Sequence, residues 1–497
     1  MTVLPRLGRS FVDAGKLPSA LSSRLQEFPA DGLHIGLGHI GAGAFHRCHQ
    51  TEYTDDMLAG GHDDRLELAV NLRQPSLEPM LGEQDCLYTR TVRDGAHQET
   101  RLIGSIANVM DASDDMQRAV NALASPDIGT ITMTVTEKGY CHVPATGLLN
   151  ESHPDIEADL QSHAAASLPG FLLAILRERQ MHGGDVNLVS CDNIPSNGAV
   201  LRNVVLAFAR MKAPSMVSWI EDHVAFPSTM VDRIVPASSE TDLASVRDRF
   251  GFDDRAAVFG EPFKQWVLED RFKGRRPAWD AVGAQYVANV KPFELIKMRV
   301  LNAAQTSMSL IGALLGHGFT FEAERDPLLH SFVRNMLMSE TLPSLPAAPG
   351  MDHARYVDTS FERLRNEAIR HSVHQIGTDT SQKIVQRLLD PIRENLAAGR
   401  SIEMLCVPVA AWIAYIARSG AAFGHKWDLQ DALAPDLDQM AANFGGDAHS
   451  LTLAVLDISS VFGRDLRERP EFADSVARHC VGLLADDTAS YVASLQG

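Results

Sequence analysis

The sequence predicts an α/β protein in which a doubly wound N-terminal domain precedes a C-terminal domain that is mostly α-helical. Strand patterns alternate with helix patterns in the first part of the chain, which is typical of a mostly parallel sheet covered on both faces. A G-x-G-x-x-G sequence at residues 36–41 stands between a strand pattern and a helix pattern, the arrangement of a Rossmann-type domain. Beyond about Pro292, long amphipathic stretches leave little room for strands. We therefore expect one domain over residues 1–289, with a leader at 1–31 packed on it, and a second over residues 290–497.

The period of the apolar residues predicts the individual elements. In the clearest strand, Ile131, Met133 and Val135 alternate with threonines, a period of two. Strands are predicted at residues 33–35, 66–72, 130–135, 186–190 and 230–235. Helices of the first domain are predicted at 45–58 and 199–211, and helices of the second at 294–315, 328–338, 356–373, 381–396 and 402–416.

Composition excludes several classes of partner. The 497 residues carry 45 Lys+Arg and 63 Asp+Glu, a net charge of −18, which opposes contact with nucleic acid or an anionic membrane. The most hydrophobic run, residues 405–417, is too short to span a bilayer, and the first ten residues lack the apolar core of a signal peptide. Six scattered cysteines without a CxxC pair fit a reducing compartment. We expect a cytoplasmic monomer or small homo-oligomer whose partner is a small molecule.

The glycine motif predicts dinucleotide binding. Gly36 would permit a tight turn, Gly38 would let a pyrophosphate approach the backbone, and Gly41 would let helix and strand pack closely. The alternative is a set of glycines that serve only a compact turn. At the tip of the second strand an acid that binds ribose is expected, but Arg73 stands there, either to meet a 2′-phosphate or as a solvated surface residue. NAD is therefore expected as the cofactor and NADP is not excluded.

One helix of the second domain holds polar side chains in an apolar setting. Taking Lys297 as zero on an α-helix, Gln305 lies near ~80° and Asn302 near ~140°, so the three occupy one sector. A lysine kept from water and facing a cationic ring can give up its proton and act as a general base. The alternative is a snorkelling lysine beside a surface or capping asparagine.

Further polar residues follow predicted strands, at the edge where ligands bind in open α/β sheets. Glu137 and Lys138 follow one strand, and Asn193 follows another. The Asn193 amide either donates to an oxyanion or caps the next helix. Asp232 interrupts an apolar strand, and an ion pair with Arg233 is the default interpretation. The histidine pairs 46/49 and 371/374 lack a third ligand at a recognisable spacing, so we expect no metal site.

Taken together, these segments resemble the long-chain mannitol dehydrogenase family, which includes mannitol 2-dehydrogenase, arabinitol dehydrogenase and fructuronate reductase (mannonate oxidoreductase). The likeness runs from about residue 33 to about residue 470. It is carried, in order and spacing, by residues 41–50, including Gly43 and Phe45, and by residues 136–140, 190–193, 230–236 and 294–302. Residues 136–141, 261–266, 381–383 and 387–391 look closest to fructuronate reductase.

The resemblance implies zinc-independent hydride transfer between a nicotinamide cofactor and a secondary alcohol of a polyol or sugar acid. It implies that Lys297 is the general base, that Asn302 and Asn193 hold the oxyanion, that Glu294 helps the lysine exchange its proton through water, and that Asp232 binds substrate hydroxyls. The family signature has histidine where this chain has Gln305, which can orient a substrate but cannot titrate near neutral pH.

For the substrate, a sugar acid of the fructuronate or mannonate type is preferred over mannitol, arabinitol or sorbitol. Lys138, Arg370, His371 and His374 could meet its carboxylate, or could simply be solvated surface cations. A remote alternative is an NAD(H)-binding protein without catalysis. The cofactor turn also departs from the family, because residues 34–38 are followed by a near echo at 39–43, which leaves open which glycines meet the pyrophosphate.

Overall fold

The structure, a computed structural model, describes residues 4–73, 76–144, 146–162, 165–423, 426–444, 446–485 and 487–495. Its contacts divide the chain into two compact units, Met1–Lys291 and Pro292–Gly497. We refer to them as unit 1 and unit 2.

Unit 1 contains all the strands found in the described residues. They are β1 (Ser22–Ser23), β2 (His34–Ile40), β3 (Arg65–Asn71), β4 (Tyr88–Asp94), β5 (His97–Ile103), β6 (Ile106–Asp111), β7 (Thr130–Met133), β8 (His142–Val143), β9 (Leu148–Leu149), β10 (Val186–Ser190), β11 (Val224–Ala225), β12 (Thr229–Asp232), β13 (Val258–Gly260), β14 (Gln265–Glu269) and β15 (Gln285–Val287). Its helices are α1 (Arg9–Asp13), α2 (Ala44–Cys48), α3 (Gln50–Ala59), α4 (Leu77–Met80), α5 (Met116–Leu123), α6 (Pro154–Gln161), α7 (Leu168–His182), α8 (Asn197–Lys212), α9 (Val217–His223) and α10 (Glu240–Phe250).

The main sheet of unit 1 is parallel throughout and doubly wound. Its strand order is β6-β3-β2-β7-β10-β11, so the chain starts in the middle, fills one side and then the other. This order has its switch point between β2 and β7, the position where open α/β sheets bind ligands. Apolar residues of β2, β3, β7 and β10 pack with α5, α7 and α8 into one buried cluster. The predicted Rossmann-type fold is therefore confirmed.

Smaller sheets surround the main one, and the sequence analysis missed most of them. β4 and β5 form an antiparallel hairpin in which Asp94 faces His97 across a Gly95-Ala96 turn. The Asp-Gly dipeptide between alternating apolar residues is a hairpin signal that could have revealed it. β1 pairs with β5, and Leu7 is fully buried, so both positions of the segment before β2 pack on other parts of unit 1. β12 pairs with β14 and lies outside the main sheet.

Unit 2 is helical in the residues described. After α11 (Lys291–Ile296) its helices are α12 (Ala303–Leu315), α13 (Thr320–Arg325), α14 (Pro327–Met336), α15 (His353–Leu364), α16 (Val373–Gly377), α17 (Thr380–Ile384), α18 (Asp390–Ala397), α19 (Glu403–Ser419), α20 (Ala434–Asn443), α21 (Ala448–Leu456), α22 (Ser459–Arg467), α23 (Pro470–Leu484) and α24 (Thr488–Ser494). In the described part of the chain, every helix is too short or too polar to cross a membrane.

Among the described residues of unit 2, three helices contain a π-helical turn, a feature that the periodicity did not predict. These turns cover Lys297–Asn302, Leu337–Thr341 and Val385–Leu389, and the first packs against both of the others. π turns are rare and occur frequently at functional sites. The predicted helix 294–315 is therefore α11, a π turn and α12 in succession.

Two other predicted helices differ from the structure. The helix predicted at 45–58 is divided into α2 and α3, because His49 leaves the helical region with φ −123°. The helix predicted at 356–373 ends at Leu364, where α15 stops, and the chain reaches α16 only at Val373.

Candidate active site

The glycine turn at the switch point is formed by Gly41, Ala42 and Gly43. Gly41 has a φ of 90°, and a Cβ at this position would stand 2.2 Å from the carbonyl oxygen of Thr134. Only glycine therefore fits position 41. Gly43 is exposed with an ordinary φ of −73°, and a Cβ there would find its nearest neighbour at 3.9 Å. The turn thus presents a small, open backbone surface at the carboxyl edge of the sheet.

The prediction that Gly36 and Gly38 form the turn is wrong. Both lie inside β2, whose pairing with β3 and β7 continues to Ile40. A Cβ at Gly36 would meet the Arg65 side chain at 2.4 Å, and one at Gly38 would meet Leu123 at 2.8 Å. These two glycines therefore allow close packing of the sheet, and the turn is the second of the two echoed glycine sequences.

The loops after β7 and β10 are joined by a half-buried carboxylate. Asp192 accepts hydrogen bonds from the backbone N–H groups of Val135 (2.9 Å) and Thr136 (3.0 Å) and from the Tyr140 hydroxyl (2.8 Å). Burial raises the pKa of Asp192 to about 6, against the opposing effect of these hydrogen bonds. Asp192 holds the two loops together, a role that the sequence analysis did not assign to it.

The other predicted residues of unit 1 lie near strand ends with different degrees of exposure. Glu137 and Lys138 are exposed on the turn after β7, and Asn193 is exposed directly after Asp192. Arg73, beyond the end of β3, is ion-paired with Asp155.

Two further predicted residues of unit 1 are less exposed. Phe45 is half-buried, and its ring stacks on His49 with the ring centroids 5.1 Å apart. Asp232 is buried at the end of β12. The neighbouring Arg233 donates a hydrogen bond to Glu52 at 2.6 Å, so its guanidinium has a carboxylate partner on α3.

A buried cluster of titratable side chains flanks the glycine turn. His39 of β2 and His46 of α2 stack with ring centroids 3.4 Å apart and an angle of 9° between the ring planes. His46 Nε2 lies 2.8 Å from Glu67 Oε1, and all three side chains are nearly inaccessible to water. Burial raises the pKa of Glu67 to about 7 and lowers the pKa of both imidazoles well below the usual value. Below about pH 7 the cluster is thus held in its neutral form.

The raised pKa of Glu67 makes the stability of the fold depend on pH. Between about pH 4.5 and pH 7 the folded protein keeps a proton that the unfolded chain has released, so this group destabilises the fold increasingly as the pH rises. The cost reaches roughly 3 kcal/mol above pH 7. Glu67→Gln mimics the neutral carboxyl, and we expect it to raise Tm by a few degrees at pH 8 and by much less at pH 5.

Calorimetry of Glu67→Gln at several pH values measures this effect. Glu99→Gln, a substitution at an exposed position of β5, is the matched control and should leave Tm unchanged throughout. An equal Tm shift for Glu67→Gln at pH 5 and pH 8 would contradict the assignment of the proton to Glu67.

In unit 2, the predicted polar helix places its side chains around the first π turn. Lys297 begins this turn and Asn302 ends it, and the two side chains are 9% and 7% exposed. In a π turn the hydrogen bonds join residues five apart, so Lys297 and Asn302 lie roughly over one another, closer than the predicted ~140° of an α-helix. The Asn302 side-chain amide donates to the Met298 sulfur at 2.9 Å. A thioether is a weak acceptor, so the Asn302 amide can donate this hydrogen bond to a stronger acceptor instead.

The remaining predicted residues of unit 2 divide into two groups. Gln305 is half-buried, and its Nε2 lies 3.2 Å from Nδ1 of His371. Arg370 and His374 are exposed, and each contacts an aromatic side chain. The Arg370 guanidinium lies 4.5 Å from the centroid of the Phe319 ring, and His374 Nδ1 lies 2.7 Å from the Tyr415 hydroxyl.

Two cations to which the sequence assigned no role stand on the helical segment whose π turn packs against this helix. Arg387 is buried, and its Nη1 donates to Thr306 Oγ1 at 2.7 Å and to the Asn302 carbonyl at 3.4 Å. Burial lowers the pKa of Arg387 to about 10. Burial and the charge of Arg387 also lower the pKa of Lys383, which stands four residues earlier. In the described part of the chain, no carboxylate lies within ion-pair distance of either, and we call them the cationic pair. Two cations four residues apart in an apolar stretch were a signal available in the sequence.

One group of side chains in unit 1 has the composition of a metal site. Atoms of Cys141, His153 and Asp155 lie within 4.8 Å of one another. The Asp155 carboxylate is ion-paired with Arg73, and burial raises the pKa of the Cys141 thiol to about 11. Both properties disfavour a bound cation, which needs a thiolate and an available carboxylate.

Comparison with known proteins identifies the family. The family model of the mannitol dehydrogenase Rossmann domain matches residues 36–281, and that of the mannitol dehydrogenase C-terminal domain matches residues 289–483. This chain belongs to the mannitol dehydrogenase family. D-mannonate oxidoreductase of Escherichia coli (strain K12) is 36% identical over 469 residues, which cover 91% of this chain and 96% of that protein.

Other members of the mannitol dehydrogenase family are similar to the same extent. Mannitol 2-dehydrogenase of Pyricularia oryzae is 34% identical over 467 residues, 92% of each chain. The solved structure of Pseudomonas fluorescens mannitol 2-dehydrogenase, a ternary complex with NAD and D-mannitol, superposes with a TM-score of 0.86 at 32% identity and covers 99% of both chains. As a member of this family the chain is an oxidoreductase, and the family predicted from its motifs is confirmed.

Proposed function

We propose that this oxidoreductase interconverts a secondary alcohol and a ketone of an open-chain sugar acid, of the fructuronate or mannonate type, with NAD(H) and without zinc. Family membership supports the reaction class. The cationic pair supports the acidic substrate, because a buried and a half-buried cation that lack a carboxylate partner among the described residues favour binding of an anion.

The glycine turn fits a dinucleotide cofactor. Position 41 accepts only glycine, and Gly43 offers an exposed backbone without side chain at the switch point of the sheet, where a pyrophosphate needs close approach. We infer that Gly41, Gly43, Phe45 and Glu137 contact NAD(H). When bound, NAD(H) supplies the hydride acceptor or donor. Arg73 is the residue placed to meet a 2′-phosphate, so NADP stays an alternative.

The chain's own residues handle the proton and the charge on oxygen. In the oxidative direction Lys297 accepts the proton of the substrate hydroxyl at its neutral Nζ. The side-chain amides of Asn302 and Asn193 donate hydrogen bonds to the oxygen as its negative charge develops, each contributing roughly 3–4 kcal/mol in comparable sites. Glu294, one helical turn before Lys297, takes the proton onward through water.

Substrate recognition uses groups that accept hydrogen bonds and groups that bind an anion. Asp232 accepts hydrogen bonds from substrate hydroxyls. Gln305 orients the substrate, and its hydrogen bond with His371 fixes its amide. In this proposal Lys383 binds the substrate carboxylate and replaces Lys138, Arg370 and His374, whose exposure makes them weaker anion ligands.

A second candidate substrate is an uncharged polyol such as mannitol. The names of the relatives favour it, because several similar proteins are mannitol 2-dehydrogenases and one solved relative holds D-mannitol. The deciding test compares NADH consumption with fructuronate and with fructose under identical conditions, with and without EDTA. We expect a kcat/KM at least ten times larger for fructuronate and no effect of EDTA. A preference for fructose would favour the polyol, and loss of activity in EDTA would contradict the zinc-independent mechanism.

Lys383→Met tests the carboxylate site directly. Losing a charge-assisted hydrogen bond costs about 1.5–3 kcal/mol, so we expect kcat/KM for fructuronate to fall by roughly 10- to 100-fold. Activity on fructose should stay within about twofold. Lys426→Met, at an exposed lysine of the same unit, is the matched control. Equal losses on both substrates would show that Lys383 does not recognise the carboxylate.

A further inference from the structure

The carbonyl groups of the glycine turn are held from inside unit 1. The Gly41 carbonyl accepts hydrogen bonds from the Thr134 hydroxyl at 2.7 Å and from the Gly43 backbone N–H at 2.7 Å, and His39 Nε2 lies 3.3 Å away. The Ala42 carbonyl accepts from Arg47 Nη1 at 2.6 Å. Two consecutive carbonyls of an otherwise open turn therefore have partners on buried or half-buried side chains.

The hydrogen-bonding groups around His39 form a continuous chain. His39 Nδ1 lies 2.7 Å from the Thr132 hydroxyl, and His39 Nε2 lies 3.0 Å from the Thr134 hydroxyl. All these bonds can form together when His39 is neutral with its proton on Nε2. Thr132 then donates to Nδ1, His39 donates to Thr134, and Thr134 donates to the Gly41 carbonyl. The flat stacking of His46 on His39 keeps the ring in this plane.

We propose that His39, Thr134 and Arg47 are positioning residues that keep the Gly41 and Ala42 carbonyls turned away from the cofactor. In a trans peptide the N–H and C=O groups point in opposite directions, so rotation of either peptide plane would bring a carbonyl oxygen towards the anionic diphosphate. Gly41 is prone to such rotation, because glycine visits both signs of φ readily. The hydrogen bonds to the Gly41 and Ala42 carbonyls prevent this rotation and set the affinity for NAD(H), while the chemical step is unaffected.

The inference rests on the proposed binding of NAD(H) at this turn, and a matched pair of variants tests it. Thr134→Val removes the hydroxyl without changing the shape of the side chain, whereas Thr134→Ser keeps the hydroxyl and removes only the methyl group. The Kd of NADH, measured by fluorescence, and the KM for NADH should each rise about tenfold in Thr134→Val, with kcat at saturating NADH within about twofold. Thr134→Ser should bind NADH like the wild type.

A second pair protects the test against loss of folding. His39→Leu removes both ring nitrogens, whereas the amide of His39→Gln can still donate to Thr134. We expect weaker NADH binding in His39→Leu and partial recovery in His39→Gln. Wild-type affinity in both Thr134→Val and His39→Leu would overturn the inference while NADH binding by the wild type stands. If the wild type does not bind NADH, the proposed function falls and this inference falls with it.

Discussion

Lys297→Ala is expected to lower kcat by about 100-fold or more and to leave the Kd of NADH within about twofold of the wild type. Lys297 is 9% exposed at the start of a π turn, and the polar side chains of Asn302 and Gln305 follow it on the same helical run. In the proposed mechanism this ammonium group loses its proton before the reaction and accepts the hydroxyl proton of the substrate. Alanine cannot replace that step, whereas the glycine turn lies in unit 1 and keeps its structure.

The control for this variant is Lys291→Ala. Lys291 is the exposed first residue of α11, six positions earlier, so its replacement makes the same Lys-to-Ala change without touching the π turn. We expect wild-type kcat for the control. Initial rates with fructuronate at pH 7 and NADH fluorescence titrations provide both quantities. Substantial turnover by Lys297→Ala at neutral pH would remove Lys297 from the role of general base.

Gly41→Ala is expected to weaken NADH binding by about 100-fold or more. The new Cβ would stand 2.2 Å from the Thr134 carbonyl oxygen, and a φ of 90° is a strained backbone conformation for alanine. The two atoms nearest to the new Cβ are the carbonyl oxygen and carbonyl carbon of Thr134, which belong to the backbone. The clash can therefore be relieved only if the turn or the chain after β7 moves. Either movement changes the surface that we propose for the pyrophosphate.

The matched control is Gly61→Ala. Gly61 also has a positive φ, 65°, but a Cβ there would meet no atom within 4 Å. It therefore carries a comparable backbone strain outside the turn, and it should lower Tm slightly without changing the Kd of NADH. If Gly41→Ala retains wild-type affinity for NADH, the turn is not the binding site of the pyrophosphate.

The fold could be predicted because its signals are local and repeated. Strands β7 and β10 have apolar patterns of their own, and together with the change to long amphipathic helices these patterns predicted both the doubly wound sheet and the helical second half. The hairpin β4–β5 was not predicted although Asp94-Gly95 marks its turn. Alternating strand and helix patterns predict parallel strands, and an antiparallel hairpin does not follow from them.

The errors in the site come from long-range pairing. Two glycine sequences follow one another at residues 36–43, and only the pairing of β2 with its neighbours as far as Ile40 decides which of them is the turn. The π turn at Lys297 likewise depends on packing between helices and leaves no simple periodicity. Asp192 and the cationic pair were visible as residue types, but their roles follow from hydrogen bonds and burial that no spacing encodes.

The central claim, transfer of hydride to the carbonyl carbon of a sugar acid, is tested most directly by isotope labelling. The enzyme is incubated with fructuronate and with NADH that carries deuterium at C4 in one or the other stereochemical position, and the reduced product is analysed by mass spectrometry. We predict a hexonate one mass unit heavier, with deuterium on the new carbinol carbon, from one of the two labelled forms. A hexonate without deuterium from both forms, or no hexonate at all, would contradict the claim.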